Sequence, residues 1–108
     1  MSPLQRSKKY LEEQGYLVAI VEKWNPWAKV RQDLFGIGDL LAIYPAEMTY
    51  TTRKTLLVQT TTLAHMKERI VKIGHSDIYP KLKKADWAIE VHGWRKLKSG
   101  WQVKIKEL

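Results

Sequence analysis

The 108-residue chain has no cysteine. That removes disulfides, thiolate zinc sites and thiol nucleophiles together, and it suits a reducing cytoplasm. Glycine and proline are sparse, at six and four residues, and no stretch reads as a linker, a repeat or a low-complexity tract. Apolar runs are short: none approaches the roughly 18 residues of a membrane span, and no signal-peptide core stands near the first residues. A disulfide scaffold, a cysteine zinc finger and a membrane protein are thereby disfavoured, and a cytoplasmic protein is expected. Without staples the fold must rest on its core. At this length one domain over residues 1–108 buries roughly 65% of its unfolded surface, which is enough to hold.

Negative charge is also in short supply. Nineteen Lys and Arg stand against eleven Asp and Glu, a net charge of +8 with a pI near 9.8. Residues 1–30 carry five basic and three acidic groups, residues 31–80 six and five, and residues 81–108 eight and three. The last quarter thus holds five of the eight excess charges, interleaved with Trp87, Trp94 and Trp101. Basic groups beside rings suit a polyanion, and nucleic acid is the default partner. The plain alternative is a lysine face that guards an edge strand against aggregation.

Ser2 reads as a helix N-cap, with Pro3 in the first turn and Gln5 closing a capping box; the helix runs to about Gln14 and stops at Gly15. Tyr16 to Val21 is a short strand that Asn25-Pro26 breaks. Gly36 and Gly38 flank a tight approach into a second strand, Asp39 to Tyr44, closed by Pro45. Ala46 to Arg53 is a loop or hairpin end, and Lys54 to Thr60 is a third strand. The period then changes from two to about 3.6: Leu63, Met66, Ile70 and Ile73 share one helical face until Gly74. A short basic turn or helix surrounds Pro80. Trp87 to His92 forms a strand ended by Gly93, and Trp101 to Lys106 alternates as an edge strand does. The order α-β-β-β-α-β-β predicts an antiparallel meander, then a right-handed βαβ crossover, giving a mixed sheet with helices on its faces.

Two polar residues sit where apolar ones are expected. Asp39 opens a largely apolar strand, where a carboxylate is costly unless paired, hydrogen-bonded or metal-bound; the plain alternative is an aspartate that bonds the glycine turn. Gln59 ends the Leu56-Leu57-Val58 run and needs partners for both ends of its amide. Strand alternation puts Gln59 and Thr61 on one face and Thr60 on the other. Oxygen donors of this kind, converging from neighbouring strands, suit magnesium or manganese.

The segment Asp-Leu-Phe-Gly-Ile-Gly-Asp-Leu-Leu-Ala-Ile (33–43), followed by Leu-Leu-Val-Gln-Thr-Thr (56–61), resembles the PD-(D/E)xK nuclease superfamily. It is most similar to the small nucleases related to Holliday-junction resolvases and to the VRR-NUC group. The resemblance implies a restriction-endonuclease-like α-β-β-β-α-β core, with a mixed central sheet flanked by helices, over nearly the whole chain. It implies a divalent-metal DNA nuclease, a homodimer, and a bacterial or phage setting. Asp39 matches the metal-binding aspartate, Gln59 the Glu/Gln ligand, and Thr60 the residue whose backbone carbonyl meets the metal. Thr61 stands where the family has lysine, so the expected cation is missing, and Lys67 on the next helix is the candidate to replace it. Glu12 or Glu13 matches an acidic residue that some members carry on the first helix; both also read as ordinary solvated helix residues.

Asp33, with Arg31 close before it, is a second acidic candidate. His65 lies near enough to touch a phosphate, whereas His75 and His92 have no spacing that builds a metal triad. The groups expected to grip DNA are Arg53, Lys54, Lys81, Lys83, Lys84, Arg95, Lys96 and Lys98. The expected function is Mg²⁺- or Mn²⁺-dependent phosphodiester hydrolysis in duplex or branched DNA. The rival is a DNA-binding protein on the same fold that has lost catalysis, because Gln59 is neutral and residue 61 is not lysine.

Overall fold

A computed structural model describes residues 1–45 and 53–108. Ser2 caps the first helix, α1 (Pro3–Glu13): its Oγ accepts a hydrogen bond from the Gln5 N–H at 3.2 Å. Among the described residues seven strands follow, β1 (Leu17–Ile20), β2 (Lys23–Asn25), β3 (Val30–Gln32), β4 (Leu40–Ile43), β5 (Leu56–Thr62), β6 (Ala88–Leu97) and β7 (Gly100–Glu107). Between β5 and β6 come a single 3-10 turn (Leu63–His65), α2 (Met66–Gly74) and α3 (Tyr79–Lys84).

The protein is mixed α/β. Its main sheet has the order β1-β4-β5-β6-β7, with β5 and β6 parallel and the other pairs antiparallel. The expected meander and the crossover between parallel strands are both present. Helix α1 lays Leu11 on Leu40, Ala42, Leu56 and Val58. On the opposite face α2 and α3 bring Met66, Ile73 and Leu82 against Leu57, Ile89 and Val91. Strand β5 is therefore buried on both faces, which explains its unbroken Leu-Leu-Val run. Each fully buried aliphatic side chain contributes roughly 1.5–3 kcal/mol relative to exposure. Among the described residues no helix is long and apolar enough to cross a membrane.

Two features differ from the sequence reading. Asn25-Pro26 does not simply end a strand; it begins the turn of a separate hairpin, β2 with β3. Asn25 Oδ1 accepts from the Trp27 and Ala28 N–H groups at 3.0 and 3.1 Å, closing a tight turn between strands too short to display a period. Gly93 does not end β6, which runs on to Leu97. A Cβ at Gly93 would lie 2.7 Å from Met66 Sδ, so the glycine is there to let α2 approach the sheet. The loop expected from Ala46 to Arg53 falls, except for Arg53, outside the described residues.

Candidate functional site

Asp39 sits immediately before β4, at the end of a tight turn that an isolated Leu34–Gly38 bridge holds closed. Gly38 is needed there because a Cβ would come within 2.4 Å of Leu57 Cγ. Strand β4 runs antiparallel to β5, so Asp39 stands beside the carboxyl end of β5, where α/β sheets usually open a crevice. The ladder Leu40–Val58, continued, would set Asp39 opposite Gln59. Instead the Asp39 N–H donates to the Val58 carbonyl at 2.9 Å, one residue out of step. The shift turns the carboxylate to the next residue. Asp39 Oδ1 accepts from the Thr60 N–H at 3.0 Å, and Oδ2 accepts from the Thr60 hydroxyl.

Gln59 points the other way, toward α2. Its Nε2 donates to Asp33 Oδ2 at 3.0 Å, and its Oε1 accepts from Arg69 Nη1 at 2.9 Å. Asp39 and Gln59 are thus on adjacent strands but not on one face, and the expectation of a single shared face is corrected by the step in the ladder. What comes together is a wider set, Asp33, Asp39, Gln59, Thr60 and Arg69.

Asp39 is only 6% exposed. Burial pushes its carboxyl up from the ordinary 3.8 to about 6; the Thr60 bonds pull it down, and the nearby negative Asp33 pushes it up again. At neutral pH it is therefore a buried anion with a like charge close by. The cavity it lines has a volume of about 600 Å³ and also reaches Thr60, Thr61, Thr62, His65 and Arg69. A second hollow of about 620 Å³, bordered by Asp33, Phe35 and Lys72, shares Glu22, Arg31 and Arg69 with the first. The two adjoin along that line.

Several expected residues lie elsewhere. Lys67 is exposed and borders a shallow groove with Ala64, Glu68 and Val71, away from the Asp39 cavity. The reason is helical phase: with Met66 turned into the core, Lys67 and Arg69 fall on opposite flanks of α2. The cation that the structure brings to the site is Arg69, ten residues after Gln59 and three after Met66. Glu12 is exposed and pairs with Lys8 at 3.0 Å, and Glu13 is exposed as well; neither lines the cavity, whereas Glu22 does. His65 borders the cavity and lies 3.4 Å from Glu68, and His75 caps the end of α2.

The basic groups are dispersed. Arg53 stacks over Tyr44 at 3.9 Å, Lys54 pairs with Asp86 at 3.0 Å, and Lys83 donates to the Leu108 carbonyl at 2.9 Å. Lys81, Lys84, Arg95, Lys96 and Lys98 are exposed. Of the three tryptophans interleaved with the C-terminal cations, Trp94 is 8% exposed and donates its Nε1–H to Ser7 Oγ at 2.8 Å. Trp87 is half-buried beside Phe35, and Trp101 lies under the Arg6 guanidinium at 3.8 Å.

A second polar cluster gives no signal in the sequence, because its members are far apart in the chain. His92, with 0% exposure, has Nδ1 at 2.9 Å from Ser7 Oγ and Nε2 at 2.9 Å from Glu90 Oε1. Serine, histidine and glutamate in contact have the composition of a hydrolytic triad, but Ser7 is wholly buried and no substrate reaches it. The cluster ties α1 to β6.

Two carboxylates, one of them buried and uncompensated, fit a hard divalent cation. Among the described residues no group of three or more His, Cys, Asp or Glu side chains is gathered for a metal. No family model, curated protein or solved structure matches the chain. The chemistry has to be read from these residues.

Proposed function

We propose that the protein is a divalent-metal-dependent DNA nuclease on a restriction-endonuclease-like core, with branched or otherwise structured DNA as substrate. One observation carries the reading: Asp39 is buried, raised to about 6 with the charge of Asp33 adding to the rise, and lines an open cavity that Arg31 and Arg69 also border. A carboxylate perturbed by burial and a neighbouring charge in a cleft is a functional-site candidate on physical grounds.

On this reading Asp39 and Asp33 hold a Mg²⁺ or Mn²⁺ ion, which supplies Lewis acidity toward a phosphoryl oxygen when bound. Gln59 is held by Asp33 and Arg69 and points away from Asp39, so it would have to turn to add its amide oxygen beside that carboxylate. Arg69 faces the scissile phosphate and offsets the charge that develops there, the part the missing lysine at position 61 would otherwise play. The Thr61 hydroxyl donates to a phosphate oxygen. Hydrolysis adds a water oxygen to phosphorus and breaks the bond to the leaving sugar oxygen, which takes up a proton. Arg31 and the exposed lysines neutralise neighbouring phosphates, and a second copy of the chain contacts the other strand.

The rival reading, a DNA-binding protein without catalysis, is favoured by the engagement of Gln59 with Asp33 and Arg69. The deciding experiment incubates the protein with magnesium or manganese and linear, flapped and four-way DNA. Cleavage that disappears in Asp39→Asn while binding persists is the expected result. If neither the native protein nor the Gln59→Glu, Thr61→Lys double variant cuts any of these, the binder stands.

A further inference from the structure

The β2–β3 hairpin carries two indole rings that remain exposed to solvent. Trp27 is 94% exposed and Trp24 52%, although tryptophan is among the side chains a protein gains most by covering. The tip is held in shape by the two bonds to Asn25 Oδ1, and Lys29 sits in the left-handed region at φ 53°. The rings are therefore presented on a fixed support, and little freedom is lost when they are covered. Residues 23–32 contain Lys23, Lys29 and Arg31 and no acidic residue. At the root, Glu22 pairs with Arg31 at 3.6 Å, and both line the cavity that holds Asp39. The hairpin is thus a positively charged, ring-tipped wall of the candidate site.

We propose that this hairpin captures an unstacked nucleobase of single-stranded or frayed DNA, with Trp27 as the stacking platform and Lys23, Lys29 and Arg31 on the adjoining phosphates. The inference deepens the nucleic-acid reading of the site and rests on it. Charge selects the occupant: residues 23–32 carry Lys23, Lys29 and Arg31 and no acid, with Arg31 paired at the root to Glu22, so the hairpin suits a polyanion, and a flat exposed ring suits a base with a free π-face. A fully paired duplex offers the cations its phosphates but gives the ring no base.

The test uses the full chain carrying Asp39→Asn, without metal, so that binding is read apart from cleavage. Labelled oligothymidylate and a paired duplex of equal length are titrated by anisotropy, with quenching of indole fluorescence followed in parallel. Trp27→Ala is expected to weaken oligothymidylate binding by about 10- to 100-fold, the worth of one stacked base, and duplex binding by less than about twofold. Trp27→Phe should recover much of the loss. At 94% exposure the ring can be removed without unfolding the protein, and a melting curve checks this. Equal losses on both DNAs, or no loss on either, overturn the proposal, as does a Trp27-dependent rise in mass with protein concentration, which would make a second copy the occupant. Absence of any DNA binding at low salt overturns it together with the nucleic-acid reading. Trp27-dependent capture by a protein that never cuts DNA leaves the inference intact and removes only the nuclease.

Discussion

Two clusters of buried polar groups lie at opposite ends of the same design choice. Around His92, every group has a partner: Trp94 donates to Ser7 and Ser7 and His92 share a bond, these three closed to solvent, and His92 meets the half-buried Glu90. Around Asp39 the bonds are equally good, yet the balance of charge is not, because the carboxylate is buried beside Asp33 and opens on a cavity. The difference separates a cluster that holds the fold together from one that keeps a capacity in reserve. A satisfied, sealed network stabilises. An anion left under-compensated costs stability and is retained where a ligand supplies the missing charge.

The sharpest way to test that contrast is to neutralise Asp39. Asp39→Asn should lower metal-dependent cleavage by at least about 100-fold, measured as initial rates on a flapped substrate, while raising the melting temperature at pH 8. A variant that loses both activity and stability would place Asp39 with the His92 cluster instead.

The converse change should invert the outcome. His92→Ala removes the centre of the sealed network and leaves a void, with an expected loss of about 3–5 kcal/mol by denaturant unfolding. DNA affinity should stay within about twofold wherever the variant remains folded, and Ser7→Ala, a smaller lesion, should lose about 1–3 kcal/mol.

The two clusters differ in pH dependence as well. The Asp39 carboxyl is raised from 3.8 to about 6 on folding, so the folded state binds the extra proton between those values. Its contribution is harmless below about pH 4 and becomes unfavourable as pH rises through about 6. The shift of about two units corresponds to about 3 kcal/mol. The stability difference between Asp39→Asn and the native protein should therefore grow by up to about that amount between pH 4 and pH 8. Manganese should close much of the gap at pH 8 in the native protein alone; a gap flat across pH would mean that the carboxylate is compensated already.

The smallest effect concerns the basic surface outside both clusters. Removing Lys81 and Lys84 should flatten the log–log salt dependence of DNA binding by about 0.9 for each phosphate that is no longer neutralised. Lys83→Ala should change it less, because Lys83 is already held by the Leu108 carbonyl. Equal slopes for all three variants would separate this helix from the DNA path and leave its lysines as solvated charge.

Much of the architecture was legible because it rests on local patterns. Ser2-Pro3 marks a helix start, the Leu-Leu-Val run of β5 marks a strand covered on both faces, and the change of period after Thr62 marks the crossover helix. The β2–β3 hairpin was not legible, since its three-residue strands show no alternation and its turn depends on one asparagine side chain. Asp39 and Gln59 stood out because a polar group at a buried position needs a partner, whatever that partner is. Their partners could not be read. Arg69 reaches Gln59 only because Met66 turns α2 in one phase, and Lys67 is carried away by the same rotation.

By itself the sequence determined the order of the helices and main-sheet strands, the split of apolar residues between the two faces of the sheet, and the surplus of positive charge. These follow from spacing and composition, which need no knowledge of distant contacts. Tertiary structure alone decided which polar groups face each other. A single step in the β4–β5 ladder sent Asp39 to Thr60 rather than Gln59. The packing of α1 on β6 sealed Trp94 and His92 away from solvent, and a hairpin outside the main sheet left Trp24 and Trp27 uncovered. A tryptophan beside lysines reads the same in each setting; only the surface that the rest of the chain lays over it determines whether the ring is core or contact.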